Sequence, residues 1–131
     1  MSQENVELVR ESLERFVATG EPAWDMLDEE IEVHDHDIVD AGEYRGLAGV
    51  ERWFEDWAAA WSEFSMEPEA FIDAGERVIA VVRMKATGRG SGVSVDRQDA
   101  MVWEIGPDRR LVRVDYFNNR QQALKSVGLA D

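Results

Sequence analysis

The chain reads as an α+β domain, with helices packed on one face of a mostly antiparallel sheet. Three observations predict this. In the first sixty-odd residues apolar side chains recur at three- and four-residue steps, the helical period. Beyond them the pattern changes to alternation and to Val- and Ile-rich runs. The breaks between those runs, Ala74-Gly75, Gly88 to Gly92 and Gly106-Pro107-Asp108, are short enough for hairpins. Helices first and antiparallel strands afterwards give segregated layers. The 131 residues fall near the usual size of one domain, and no repeat, linker or low-complexity run divides 1–131.

The elements follow in order. Ser2 is suited to cap a first helix, since its hydroxyl accepts from free backbone donors of the first turn. Val6, Val9, Leu13, Phe16 and Val17 form its apolar stripe, and Gly20 and Pro22 end it. Residues 23–28 read as a short second helix carrying Trp24 and Leu27. In 30–36, Ile31 and Val33 alternate with Glu32 and His34, which is strand periodicity. Residues 37–46 form a loop containing Tyr44-Arg45-Gly46. The segment 47–63 is the clearest helix, with Leu47, Val50, Phe54, Trp57 and Trp61 on one stripe and Trp53 beside it. Strands are expected from Phe64 to Asp73, Val78 to Ala86, Val93 to Ile105 and Leu111 to Phe117, then a short helix over Gln121 to Val127 stopped by Gly128. The glycines at 88, 90 and 92 precede a strand and no Lys-Ser or Lys-Thr follows them, so they read as a wide hairpin turn and not as a phosphate loop.

Composition excludes several functions. With 14 basic and 28 acidic residues the net charge is −14, the wrong sign for nucleic acid or an anionic membrane surface. The absence of cysteine removes a disulfide framework, a thiol nucleophile and Cys-ligated zinc, and fits a reducing cytoplasm. No window approaches the ~18 apolar residues of a membrane span, and the first residues lack the basic and apolar regions of a signal peptide.

An ordered set of segments carries a family likeness. Glu32-Val33-His34-Asp35, the loop ending Tyr44-Arg45-Gly46, the helix from Val50 to Trp61, and the close Val114-Asp115-Tyr116-Phe117 with Ala123-Leu124 follow one another over nearly the whole chain. In this the chain resembles the SnoaL-like, ketosteroid-isomerase-related branch of the nuclear-transport-factor-2-like superfamily. The resemblance implies a cone: a curved sheet with the N-terminal helices on its concave face, enclosing one pocket for a small-molecule ligand. It implies a homodimer packed through the outer sheet face, and no required cofactor. The family holds cyclases, isomerases, epoxide hydrolases, dehydratases and non-catalytic binding modules, so fold leaves the reaction open.

Strand parity selects candidate site residues. Asp35 shares the face of Ile31 and Val33, and a carboxylate there is expensive unless paired, solvated or useful. It also falls where ketosteroid-isomerase relatives place their general base, which the resemblance extends to Asp35; the alternative is an Asp that ends the strand and caps the loop. Asp99 shares the face of Met101, Trp103 and Ile105. It falls where those isomerases keep a protonated carboxyl facing an oxyanion; the alternative is an Asp neutralised by a buried Arg. Arg113 and Asp115 share the face of Phe117, which by the family's usual arrangement looks into the pocket, while a one-residue slip turns the set outward. The resulting expectation is Asp35 and Asp99 as catalytic groups, Arg113 and Asp115 as polar contacts, and Trp57, Trp103 and Phe117 packing the ligand. Leu13 stands where the isomerases use a tyrosine, so steroid isomerisation itself is not expected. His34 and His36 share one strand face, but two ligands do not make a metal site, and they oppose the apolar face.

Overall fold

Each helix is held by the stripe that its sequence prescribes. The structure is a computed structural model that describes residues 2–37 and 42–129, and of Ser2 the backbone alone; the capping role expected of the Ser2 side chain therefore lies outside the described residues, as does part of the expected loop over 37–46. Helix α1 (Ser2–Thr19) buries Val6, Val9 and Leu13, and Phe16 is half-buried beside them. Val17, expected on that stripe, lies at its edge and is 48% exposed. The short helix expected over 23–28 is a single 3-10 turn, Trp24–Met26.

Strand β1 (Leu27–Asp35) alternates buried Ile31, Val33 and Asp35 with Glu32 and His34. A three-residue strand β2 (Glu43–Arg45) takes the place of the end of the expected loop and pairs antiparallel with β1. It turns into α2 (Gly46–Ala60) at Gly46, whose φ of +75° disfavours any side chain and where an added Cβ would come within 3.2 Å of the Glu29 carbonyl oxygen. Helix α2 ends earlier than its apolar stripe suggests. Trp61 begins strand β3 (Trp61–Ala74), where it pairs with Gly88 of β4 (Arg77–Gly88); sheet pairing overrides the helical spacing. Strands β5 (Ser94–Ile105) and β6 (Leu111–Phe117) and helix α3 (Arg120–Ser126), capped by the Asn119 side chain, complete the fold. The Gly88 to Gly92 segment is the expected hairpin turn, closed by Gly88 N–H to the Val93 carbonyl at 2.8 Å.

The six strands form one mixed sheet in the order β2-β1-β6-β5-β4-β3. Every pairing is antiparallel except β1 with β6, which run parallel and set Asp35 beside Tyr116. Helices α1 and α2 pack on the inner face, against Val33, Val82, Met101 and Val114. Helix α3 packs on the other face, over Ile79, Val81, Val102 and Phe117, so the helices are not confined to one side.

One irregularity decides which residues of β6 face inward. Between β5 and β6 the register runs regularly from Ala100↔Phe117 to Glu104↔Arg113, then jumps to Ile105↔Leu111, leaving Val112 as an extra residue. A bulge of this kind reverses parity. Leu111 faces the inner core, yet beyond the bulge it is Val114 and Tyr116 that do so, while Arg113, Asp115 and Phe117 face outward. This corrects the expected orientation of Arg113, Asp115 and Phe117. The assignment predicts that Leu111→Ala costs about 3 kcal/mol, as for a fully buried Leu, whereas Arg113→Ala costs under about 1 kcal/mol as an exposed ion-pair member. Urea unfolding of both variants checks it; comparable losses would contradict the outward placement of Arg113.

Candidate functional site

The inner sheet face and the two long helices enclose a cavity of about 70 Å³. Its wall is overwhelmingly apolar: Leu13 and Phe16 from α1, Trp53 and Trp57 from α2, and Ile31, Val33, Met101, Trp103, Val114 and Tyr116 from the sheet. The volume is about half that of the roughly 150 Å³ apolar cavity that holds benzene. Phe16, Pro22, Phe54, Phe64 and Met66 are the half-buried members of the wall, with Phe16 and Phe54 edge to face at 5.3 Å. They mark where the cavity comes nearest the surface.

Asp35 sits behind the wall at one end and is 3% exposed. Burial of a carboxylate demands donors, and three arrive. Trp53 and Trp57 donate their indole N–H groups to Oδ2 at 2.7 and 3.0 Å, and the Asp37 backbone N–H donates to Oδ1 at 2.9 Å. The spacing of the two tryptophans explains the pair: four residues apart on α2, they lie one above the other on the face turned to β1. Among the described residues these three donors occupy three of the roughly four lone-pair sites of a carboxylate, which leaves one site on Oδ1 without a described donor.

Asp99 is fully buried on β5, and Tyr116, on the neighbouring strand, donates a hydrogen bond to it. Arg97, two residues back on the same face, donates to Asp99 at 2.7 Å and to Asp37 at 2.6 Å. Burial pushes the Asp99 carboxyl above its ordinary range; the Tyr116 and Arg97 hydrogen bonds oppose the shift without cancelling it. Burial, reinforced by the charge of Asp99, likewise raises the Tyr116 phenol far above its usual value. Asn118 donates to Asp37 at 3.1 Å, so the segment after β1 is fastened to β5 and β6 together. Tyr116 also packs edge-on against Trp57 at 5.2 Å and Trp53 at 6.2 Å. Asp35 and Asp99 do not themselves line the cavity; both lie behind its wall, joined to it through Trp53, Trp57 and Tyr116.

The other expected residues divide. Trp57 and Trp103 line the cavity. Arg113, Asp115 and Phe117 do not; they form an outer-face group in which Arg113 donates twice to Asp115, at 2.8 and 3.2 Å. His36 meets the same Asp115 at 3.0 Å, with its ring stacked on Phe117 at 4.4 Å. Burial works to raise the Asp115 carboxyl, but the hydrogen bonds from Arg113 and His36 prevail and hold it below its ordinary range. His34 pairs with Glu32 at 3.2 Å, so the two histidines serve different partners. Among the described residues no group of His, Asp and Glu is arranged to hold a metal ion. Sequence reasoning missed Tyr116 and Arg97. Arg97 was within reach, because it shares parity with Asp99; Tyr116 was hidden by the bulge at Val112.

A family model described as SnoaL-like domain matches residues 9–114. The chain belongs to the SnoaL-like family. Its fold is the nuclear-transport-factor-2-like cone, and solved structures agree. An NTF2-like protein of unknown function from Burkholderia pseudomallei superposes with a TM-score of 0.74 at 21% identity, covering 95% of this chain and 97% of that one. A protein from Jannaschia sp. CCS1 named as a SnoaL-like polyketide cyclase gives 0.72 at 15% identity, covering 99% and 95%. The epoxide hydrolase/cyclase-like enzyme SalBIII, of pyran ring formation in the polyether salinomycin, gives 0.68 at 21% identity, covering 89% and 92%. No curated protein matches the chain. Among the described residues no helix of this SnoaL-like chain is long and apolar enough to cross a membrane.

Two predictions follow from the charges of this SnoaL-like site. Asp35→Ala strands two indole donors and a backbone donor, and is expected to cost roughly 2–4 kcal/mol in denaturant unfolding, while Asp35→Asn, which keeps an acceptor, costs less. The second concerns pH. Because the folded pKa of Asp115 is depressed, its stabilisation is fully present above the unfolded value of about 3.9 and is lost as pH falls through the folded value. Asp99 has the opposite sign: its folded pKa is raised, so its contribution is best below about 3.9 and is lost as pH rises through the folded value. Carboxyl carbon NMR titration should place Asp115 below and Asp99 above the ordinary midpoint, and Arg113→Ala should move Asp115 upward while leaving Asp99 in place.

Proposed function

We propose that this SnoaL-like protein binds a compact, largely apolar or aromatic small molecule in its cavity and acts on it by acid–base chemistry, with Asp35 as the base. The observation that carries the reading is the setting of Asp35. The carboxylate is buried directly behind the cavity wall, oriented by two indoles that are themselves part of that wall, and left with one lone-pair site without a described donor. Such fixed orientation is what proton abstraction from a bound carbon acid requires.

Asp99 and Tyr116 supply the complementary group. When Asp99 is protonated, a state that its burial favours, its proton satisfies the Tyr116 oxygen and the phenol proton is released to a ligand oxygen. The cation at this end is Arg97 and not Arg113. No cofactor enters the scheme. The small volume selects compact ligands, and larger ones require Phe16, Phe54 and Phe64 to move aside. A cysteine-free chain of this charge suits the cytoplasm. The same reading places a second copy, as in a homodimer, against the outer strip that α3 leaves uncovered, where Glu69, Arg83 and Gln98 are already linked.

A second reading, a non-catalytic binding module, draws on the same bonds, since each carboxylate is already satisfied within the protein. Trp53, Trp57 and Trp103 make intrinsic fluorescence a direct report of occupancy, so a panel of small enolisable ketones and epoxides can be screened for binding and then for turnover. In the acid–base reading Asp35→Asn lowers turnover by about 100-fold or more while binding shifts only a few-fold. Binding without turnover leaves the binding module, whereas turnover unaffected by Asp35→Asn removes Asp35 from the chemistry and assigns it to another group.

A further inference from the structure

The polar end of the cavity is internally satisfied; one polar group elsewhere in the wall is not. Trp103 lines the cavity and is 9% exposed, and its indole Nε1 is buried with no hydrogen-bond partner among the described residues. The contrast with Trp53 and Trp57 is direct, since both of their indole N–H groups are used on Asp35. A buried donor without an acceptor costs on the order of 1–3 kcal/mol. A phenylalanine would supply most of the same apolar surface without that cost.

Register locates this donor relative to the aspartates. Along the inner face of β5 the order is Asp99, Met101, Trp103, Ile105. Met101 is level with Tyr116 and, through it, with Asp35. Trp103 is level with Val114 and Val33, one inward-facing step further on. Two residues of strand advance about 7 Å. The Trp103 backbone therefore lies about 7 Å along the strand from the Asp35–Tyr116 row, on the side away from Asp99, and its indole enters the cavity wall from there. A ring carrying one substituent exceeds the closed cavity and enters with Phe16, Phe54 and Phe64 moved aside.

Water is a poor occupant of this place. A buried water needs two to four polar partners, and the inward-facing neighbours of Trp103 across the sheet are Val78 and Val114. An acceptor oxygen attached to an apolar body suits the site better, because the body fills the apolar wall while the oxygen takes the single N–H.

We propose that the Trp103 indole N–H is a ligand-binding donor, and that the ligand carries a neutral acceptor oxygen, a carbonyl or an ether, at the end of the cavity away from Asp99. This rests on the pocket reading above and adds the position and kind of the ligand's polar group. It does not depend on Asp35 acting as a base.

The test uses an isosteric pair, cyclohexanone and methylenecyclohexane, which differ in having C=O or C=CH₂ at one position. Indole N–H signals of the ¹⁵N-labelled protein are followed by NMR, with Trp103 assigned through Trp103→Phe. Cyclohexanone is expected to move the Trp103 indole proton downfield, and methylenecyclohexane is not. The affinity ratio, ketone over alkene, is expected to fall roughly 3- to 10-fold in Trp103→Phe, the scale of one neutral hydrogen bond; taking the ratio cancels the change in cavity size. If both probes bind and perturb Trp103 alike, or if the ratio survives Trp103→Phe, the proposal is overturned. If Trp103 moves but cyclohexanone turnover is absent, the donor role stands and the acid–base reading fails separately. If neither probe binds, the pocket reading falls and this inference falls with it.

Discussion

A carboxylate taken out of water must be given donors, and in this protein that requirement organises the inner half of the fold. Asp35 ends β1 at full depth, and its donors come from Trp53 and Trp57, so β1 and α2 are tied at one atom. The Asp37 N–H holds the other oxygen, which fixes how the chain leaves the strand. Asp37 in turn accepts from Arg97 and Asn118, and Arg97 reaches Asp99. Removing a partner from such a chain of bonds leaves charge or donors stranded in a low-dielectric interior, so each group matters more than a pairwise tally suggests. The cavity lies against this framework: three of its aromatic wall residues, Trp53, Trp57 and Tyr116, turn their polar tips to the aspartates.

Much of this architecture could be read from residue periodicity. The α1 and α2 stripes, the alternation in β1, and the hairpin signals at Gly75, Gly88–Gly92 and Gly106 all correspond to observed elements. The inward placement of Asp35 and Asp99 followed from parity, because β1 and β5 are regular over those stretches. At β6 parity rightly put Arg113, Asp115 and Phe117 on one face, but the inward orientation taken from the family's arrangement failed for a physical reason. One added residue at Val112 reverses the faces, and nothing in Leu-Val-Arg-Val-Asp-Tyr-Phe announces it, since both registers give plausible alternation. The failure removed Arg113, Asp115 and Phe117 from the inner face and concealed Tyr116. Trp61 was misplaced for a different reason: it extends the helical spacing of α2, and only its pairing with β4 shows that the sheet claims it. The position of α3 on the outer face was equally beyond local pattern, because Ala123 and Leu124 say that one side is buried but not against what.

The two groups of acidic residues illustrate how environment separates identical side chains. Asp115 and Asp99 are each paired with an arginine two residues away on the same strand. Asp115 faces outward and its partners prevail; Asp99 is buried, and desolvation prevails. A count of 28 acidic residues therefore says little about chemistry. What matters is which few are drawn inward, and that is decided by strand register.

The parallel pairing of β1 with β6 has a consequence for how the molecule comes to exist. Most strands meet a neighbour that is close in sequence, through hairpins that close quickly. β1 has β2 near it in sequence, but its other edge is paired by the last strand, and closing so long an intervening loop is slow. Asp35 and Tyr116 meet only then, so during synthesis the β3–β4–β5 meander can form while the cavity still lacks a wall. The cavity wall is thus completed only when residues from the two halves of the chain, Asp35 and Tyr116, come side by side.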